Sequence, residues 1–389
     1  MWGSWRISNV RMAARSLPRL GGRGRLTGKP SHCMVTSTTP DLSTSSVPRS
    51  PRRSSSYYPR QSSMEGGVGM MNTTSNNNRR FSTGFASRWS NQHATRSSNK
   101  HNTYITDPRC SLPQPWGIFC FEGFEFVAMD FPGHGRSDHM SKDSWYSILD
   151  YPEYVIEAAR SLGWDRFSLV GHSMGGAVAA LVAASFPEKV ERCVFLDILG
   201  PYAFSPATSP KRLRTSIASR RTLLGKEPKS YASFDEAVET RLKAVTMWGE
   251  HQTMSWDGAV RLVEGGTRPW EGDGQVKFTN DVRLRASSSS YLTEDSVLTY
   301  LRAIENDCLL IRGETGMLAN AAAVPTFEAR KEAFGPRLKD LVLPGSHHLH
   351  LDDDTAPLVA SHTAAFLRGQ DHQGLVREAE EDTCLSSNL

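Results

Sequence analysis

Phe167-Ser-Leu-Val-Gly-His-Ser-Met-Gly-Gly-Ala177 passes from a short apolar run, through a glycine turn with a serine at its apex, into an alanine-rich stretch that continues to Ala184. The apolar run reads as a strand and the alanine-rich stretch as a helix. Between them, Gly171-His172-Ser173-Met174-Gly175 fits G-x-S-x-G, the spacing of a nucleophile elbow. A serine at a sharp strand-to-helix turn sits on strained backbone, and glycines two residues to either side let strand and helix approach closely. Such a turn lifts Oγ above the sheet edge and aims the first N–H groups of the helix at whatever the oxygen attacks. The stretch predicts Ser173 as a nucleophile.

Working outward, Phe124-Glu-Phe-Val-Ala-Met-Asp130 reads as a strand followed by a glycine-rich loop, Phe131-Pro-Gly-His-Gly-Arg-Ser-Asp138. Trp145 to Leu162 carries Ile148, Tyr151, Val155, Ala158 and Leu162 at helical spacing and stops at Gly163. Val190–Asp197 is unbroken apolar sequence over Cys193, Val194, Phe195 and Leu196, as a strand buried on both faces requires. Strands at Asp307–Arg312 and Leu338–Leu343, a helix from Val324 to Phe334, and a last helix from Pro357 to Arg368 continue the alternation. Alternating strand and helix predicts a mostly parallel α/β sheet with helices on both faces. Between Gly200 and Ala303 the alternation stops. That stretch has helical segments at Phe234–Val245 and Leu292–Ile304, and it holds Trp248, Trp256 and Trp270. An insertion there lies over the carboxyl ends of the strands, and it reads as a helical cap walling an apolar pocket.

The first 115 of the 389 residues have a different texture, with 17 Lys+Arg against three acids (Asp41, Glu65, Asp107), or about +14. The whole chain is +4, so the remainder is about −10: a basic leader on an acidic globule, which is no argument for nucleic-acid binding by the globule. Residues 41–103 are rich in Ser, Thr, Asn and Arg and too poor in aliphatics to offset chain entropy. The organisation expected is a disordered leader over 1–112, core over 113–199, cap over 200–303, core again over 304–368, and a polar acidic tail over 369–389. The six cysteines (Cys33, Cys110, Cys120, Cys193, Cys308, Cys384) show no metal spacing. No metal or cofactor is expected. Nor is a membrane span, since no run of 18 apolar residues occurs.

A serine hydroxyl needs a base, and a base needs an acid to hold its tautomer. The histidine-rich place late in the chain is Gly345-Ser-His-His-Leu-His350, after the last strand. His347, closest to the strand, is the base; His350 faces the following turn. For the acid, Asp197 closes the strand after the elbow helix, and Glu314 follows a later strand in Leu310-Ile-Arg-Gly-Glu-Thr-Gly-Met317. Asp197 is preferred. The same carboxylate could instead tie down the entry to the cap by accepting backbone N–H bonds.

From Phe124 to Arg368 the chain resembles the α/β-hydrolase superfamily with a cap, most closely the serine hydrolase-like proteins. The matching pieces are Phe126-Val-Ala-Met-Asp-Phe-Pro-Gly-His-Gly-Arg-Ser137, Val170-Gly-His-Ser-Met-Gly-Gly176, Leu196-Asp197, Lys277-Phe-Thr-Asn-Asp-Val-Arg-Leu284 and Pro344-Gly-Ser-His-His-Leu-His-Leu351. The resemblance implies Ser173 as nucleophile and His347 as general base. Members with the acid after the last strand but one usually show Gly-Glu-x-Asp, and Gly316 stands where that Asp belongs. Some capped dehalogenases instead carry it at the position matched by Asp197, but a serine nucleophile disfavours dehalogenase and epoxide-hydrolase chemistry.

One departure is large. The family pattern calls for two or three strands and a His-Gly oxyanion loop before Phe124, and these N-terminal strands are missing after Pro115-Trp-Gly117. The Met174 N–H is then the one identifiable oxyanion donor, and losing the other typically costs about 10²–10³ in kcat. The elbow strand should also lack its neighbour, leaving an unpaired edge, poor solubility and a rate at least roughly a hundredfold down. The leading function is a serine hydrolase acting on a small-molecule ester or thioester of an apolar acyl group. The rival is a catalytically weak or inactive binding protein of the same fold. Expected location is the cytoplasm, with a peroxisomal option from Ser387-Asn388-Leu389 and a mitochondrial alternative from Arg6, Arg11, Arg15 and Arg19.

Overall fold

The computed structural model describes residues 31–37, 104–105, 124–246, 249, 251–271, 274–320 and 324–370. In chain order, β1 (Ser31–Ser37), β2 (Tyr104–Ile105) and β3 (Phe124–Asp130) lead to α1 (Tyr151–Leu162), β4 (Phe167–His172), α2 (Met174–Ser185) and β5 (Val190–Leu196). A middle stretch holds α3 (Ser209–Leu223), β6 (Ser230–Tyr231), α4 (Phe234–Thr246), α5 (Trp256–Gly266), β7 (Thr267–Pro269), β8 (Val276–Phe278) and α6 (Glu294–Ala303). Last come β9 (Asp307–Gly313), α7 (Val324–Phe334), β10 (Leu338–Leu343) and α8 (Ala356–Leu367). The core strands and helices read from hydrophobic period and turn chemistry fall within a residue or two of these bounds, except that the stretch read as helical from Trp145 becomes α1 only at Tyr151, after a short 3-10 turn at Ile148–Asp150. α1 ends where glycine allows, at Gly163 with φ 73°.

Seven strands form the central sheet in the order β10-β9-β5-β4-β1-β3-β2. Every pair in it is parallel except β2 with β3. All six residues of β4 are buried, as a central strand between two helical layers demands. Against one face α1, α2, α6 and α7 bring Val155, Val178, Leu301 and Phe334 into a single core with Leu169 and Phe195. On the other face α8 packs Val359 and Phe366 over Cys33, Val35, Val194 and Ile311.

β1 corrects the expectation of a disordered leader over 1–112. Ser31–Ser37 inserts between β3 and β4, pairing Met34 with Val127 on one side and Val35 with Val170 on the other. The seat beside the elbow strand is therefore filled, and the unpaired edge expected there does not exist. Cys33 and Met34 are fully buried and Val35 is 3% exposed. This apolar triplet is too short and too closely flanked by cationic sequence to announce itself. Its partners lie far along the chain. Of the other early strands, the described residues supply only β2. The rest of the leader, Trp116, Cys110, Cys120–Gly123, Trp248 and the C-terminal tripeptide lie outside the described residues.

The middle stretch divides. β6, β8 and β7 form a three-stranded sheet, and Tyr231, Val238, Ala259, Val263 and Phe278 make a small core of their own with α4 and α5. α6 is different: Val297 and Leu301, with Ile304, join the main core. The insertion is thus shorter than 200–303, because α6 is a sheet-covering helix whose buried stripe faces α2. The Lys277–Leu284 motif roots the insertion. Asp281 accepts hydrogen bonds from Tyr146 Oη (2.8 Å) and Arg283, and its N–H donates to the Gly133 carbonyl. Arg283 also donates to the carbonyls of Met140, Ser141 and Ser144. Burial alone would raise the Asp281 carboxyl, but the bonds from Arg283 and Tyr146 outweigh it and hold the group below its ordinary range. Among the described residues no helix is long and apolar enough to cross a membrane.

Candidate active site

Strain marks the site first. Among the described residues two non-glycine residues have positive φ: Ser173 at 49° and Asp197 at 50°. Such conformations persist only where surrounding structure imposes them, and they cluster at functional sites. Ser173 is the turn between β4 and α2, with its N–H on the Leu196 carbonyl at 3.2 Å. Two glycines make that turn possible. A Cβ on Gly171 would meet the backbone of Gly175 and Gly176 at 2.5 Å, and one on Gly175 would overlap the Thr36 carbonyl. β1 is thus packed hard against the elbow, and Thr36 Oγ1 donates to the Gly175 carbonyl at 3.0 Å.

Asp197 stands at the end of β5 and is fully buried. One carboxylate oxygen accepts the Gly313 N–H at 3.2 Å; the other accepts the Met317 N–H at 2.7 Å. That second oxygen lies 2.7 Å from His347 Nδ1. With Nδ1 donating to a carboxylate, the lone pair of the imidazole is on Nε2. Ser173 and His347 line one cavity of about 250 Å³, together with Ile148, Met174, Ile198 and Val245. The carboxylate thus joins backbone N–H groups at and just beyond the end of β9, rather than the entry to the insertion, to the imidazole of His347. Glu314, the alternative acid, is exposed. A Cβ on Gly316 would overlap the Asp197 carboxylate, so this chain's carboxylate fills the space that a side chain at 316 would occupy. Met174, named as oxyanion donor, is the first residue of α2, where N–H groups have no intrahelical partner.

The sequence profile described as alpha/beta hydrolase fold matches residues 110–354. The chain belongs to that family. A serine hydrolase-like protein of Dictyostelium discoideum is 33% identical over 61% of this chain and 66% of its own length. One of Danio rerio is 30% identical over 67% of this chain and 76% of its own. The crystal structure of a hypothetical protein from Pseudomonas aeruginosa is 35% identical, covers 63% of this chain and 83% of that one, and superposes with a TM-score of 0.57. This is a member of a hydrolase superfamily standing among the serine hydrolase-like proteins.

His347 sits on the loop after the last strand, β10, but its surroundings were not legible from spacing. His172, His348 and His350 are buried, which corrects the placing of His350 toward a turn. The His172 ring lies 4.5 Å from that of His347, 5.2 Å from His348 and 4.0 Å from His350. Its Nε2–H donates to the His347 carbonyl at 2.8 Å, joining the elbow to the base loop. Gln252 was missed. Its Oε1 accepts the His347 N–H at 3.1 Å and its Nε2 donates to the Thr315 carbonyl at 2.7 Å, so it holds both loops that flank the acid–base pair. A lone glutamine in an irregular stretch carries no signal. Among the described residues no three His, Cys, Asp or Glu side chains are arranged to hold a metal ion.

Burial, followed by the neighbouring imidazoles, pushes His172 and His348 well down and His350 down to about 3. Their folded-state values lie below the unfolded value of about 6.5, so the unfolded chain binds protons first as pH falls. The stability they contribute is complete above about pH 7 and drains by about 1.4 kcal/mol per pH unit for each below 6.5. Urea unfolding at pH 7.5 and 5.5 should therefore differ by about 4 kcal/mol from these three groups. Equal midpoints and slopes at the two pH values would show that the cluster is not buried in its neutral form.

Proposed function

We propose that the protein hydrolyses an ester or thioester of a small to medium apolar acyl group through an acyl-enzyme on Ser173. The observation that carries this is the 2.7 Å contact of His347 Nδ1 with a fully buried Asp197, with Ser173 and His347 in one cavity. Ser173 Oγ attacks the acyl carbonyl while His347 Nε2 takes its proton. The oxyanion that forms faces the helix N-terminus at the Met174 N–H. Collapse expels the alcohol or thiol, which receives the proton from His347. Water then repeats the sequence and frees the acid. Asp197 stays ionised throughout and stabilises the imidazolium. Ile148, Ala177, Ile198, Val245 and Met317 line the cavity and favour an apolar acyl chain. Val245 belongs to α4, so the insertion acts as a cap over the reaction centre.

The second reading is a binding protein of the same fold, in which the same cavity holds its ligand without turnover. A fluorophosphonate probe separates the two. The hydrolase is labelled at Ser173, and mass spectrometry places the adduct on the elbow peptide. An unlabelled, folded protein supports the binder and defeats the hydrolase.

A further inference from the structure

α3 turns most of its large apolar side chains outward. Its inward face is mostly polar: Ser216 is buried, Arg212 lies 3.1 Å above the Phe204 ring centroid, and Ser219 Oγ accepts the Ser287 N–H at 3.1 Å. Arg220 donates to Ser289 Oγ at 3.0 Å. Of its leucines and isoleucine only Leu223 points inward and is buried. Leu213, Ile217 and, just past the helix end, Leu224 are 49%, 47% and 62% exposed. Spaced at i, i+4 and i+11, they form one outward stripe. The 15 residues of α3 contain Lys211, Arg212, Arg214, Arg220 and Arg221 and no acid. Lys211, Arg214 and Arg221 are exposed, the two arginines flanking the stripe.

We propose that α3 docks on an anionic phospholipid surface, inserting Leu213, Ile217 and Leu224 between headgroups that its arginines neutralise. An outward stripe of large apolar side chains beside exposed cations offers an anionic lipid surface both apolar insertion and charge pairing. The charge argues against other occupants. A second copy would bring the same acid-free helix, and the N-terminal 115 residues are themselves about +14. Tyr202, 54% exposed, lines the cavity and precedes α3 closely, so a docked helix sets the cavity mouth near the bilayer. The inference does not depend on hydrolysis and fails separately from it.

The test uses the full chain and sedimentation with phosphatidylcholine vesicles, with and without phosphatidylserine. Because the basic N-terminal residues also attract anionic lipid, the decisive variant leaves every charge in place: Leu213→Asn, Ile217→Asn and Leu224→Asn together. It should partition about a hundredfold less to phosphatidylserine vesicles. Lys211→Gln, Arg214→Gln and Arg221→Gln together should lose about a hundredfold on those vesicles, at about fivefold per cation, and little on neutral ones. Unchanged thermal unfolding shows that each variant is folded. Undiminished binding by the apolar triple variant, or no binding by the native chain, overturns the proposal. So does binding that appears only once Glu378, Glu380, Glu381 and Asp382 are neutralised, which would make the chain's own tail the occupant.

Discussion

Replacing Ser173 by alanine is expected to lower kcat on a short p-nitrophenyl ester by about 10⁶-fold while leaving the protein folded. The whole effect lies in the missing nucleophile. The backbone at 173 keeps its φ of 49°, Gly171 and Gly175 still clear the turn, and α2 still begins at Met174. Alanine bears the same positive-φ strain as serine, so the change in stability should be within about 0.5 kcal/mol, as for substitutions that remove no packing and no buried partner. The pair of measurements is a kcat and a thermal melt on the same preparation. Turnover within tenfold of the native protein, with the melt unchanged, would remove Ser173 from the mechanism and leave the elbow as a structural turn.

The second large effect belongs to the acid. Asp197→Asn should cost about 10⁴ in kcat, because an amide cannot hold the Nδ1–H tautomer of His347 as a carboxylate does. The carboxylate uses both oxygens on backbone donors, Gly313 and Met317. An asparagine has one acceptor oxygen for those two N–H groups, so stability should also fall by about 1–3 kcal/mol. Glu314→Gln, at an exposed position, should leave both rate and stability close to native. The reverse ranking of the two variants would move the acid to Glu314. Gly316 allows a sharper version, since a side chain there would overlap the Asp197 carboxylate. Gly316→Asp alone should be badly tolerated. Combined with Asp197→Gly, which frees the space and suits a φ of 50°, it should regain at least tenfold over Asp197→Gly alone. No gain would mean that the two positions do not deliver a carboxylate to the same imidazole nitrogen.

Much of this was legible before any coordinates. Gly171–Gly175 announces the elbow because only glycine tolerates such close approach of strand and helix, and Ser173 follows from its apex. β3 and β10 were bounded to the residue by hydrophobic runs ended by turn chemistry. His347 was readable because it sits on the one histidine-rich loop after the last strand. Asp197 was readable as a preference, because a charged residue closing an unbroken apolar strand sits at the sheet edge where ligands bind.

The sequence by itself therefore determined the alternation of strand and helix, the elbow, and Ser173 and His347 as candidates to meet there. All are local patterns: period, glycine, a polar residue where an apolar run stops. Tertiary structure decided what depends on partners distant in the chain. Ser31–Ser37 becomes the strand beside the elbow only because β3 and β4 leave a hydrogen-bonding seat between them, and its three buried apolar residues carry too little apolar length to show against a cationic background. Gln252 becomes a clamp only because its loop folds back onto His347. Asp197, not Glu314, meets His347 because the chain places its carboxylate against Nδ1 and against the bare Cα of Gly316, while Glu314 is exposed. Spacing within a sequence reports the first kind of fact; the second is set by which side chains share a volume once the sheet has closed.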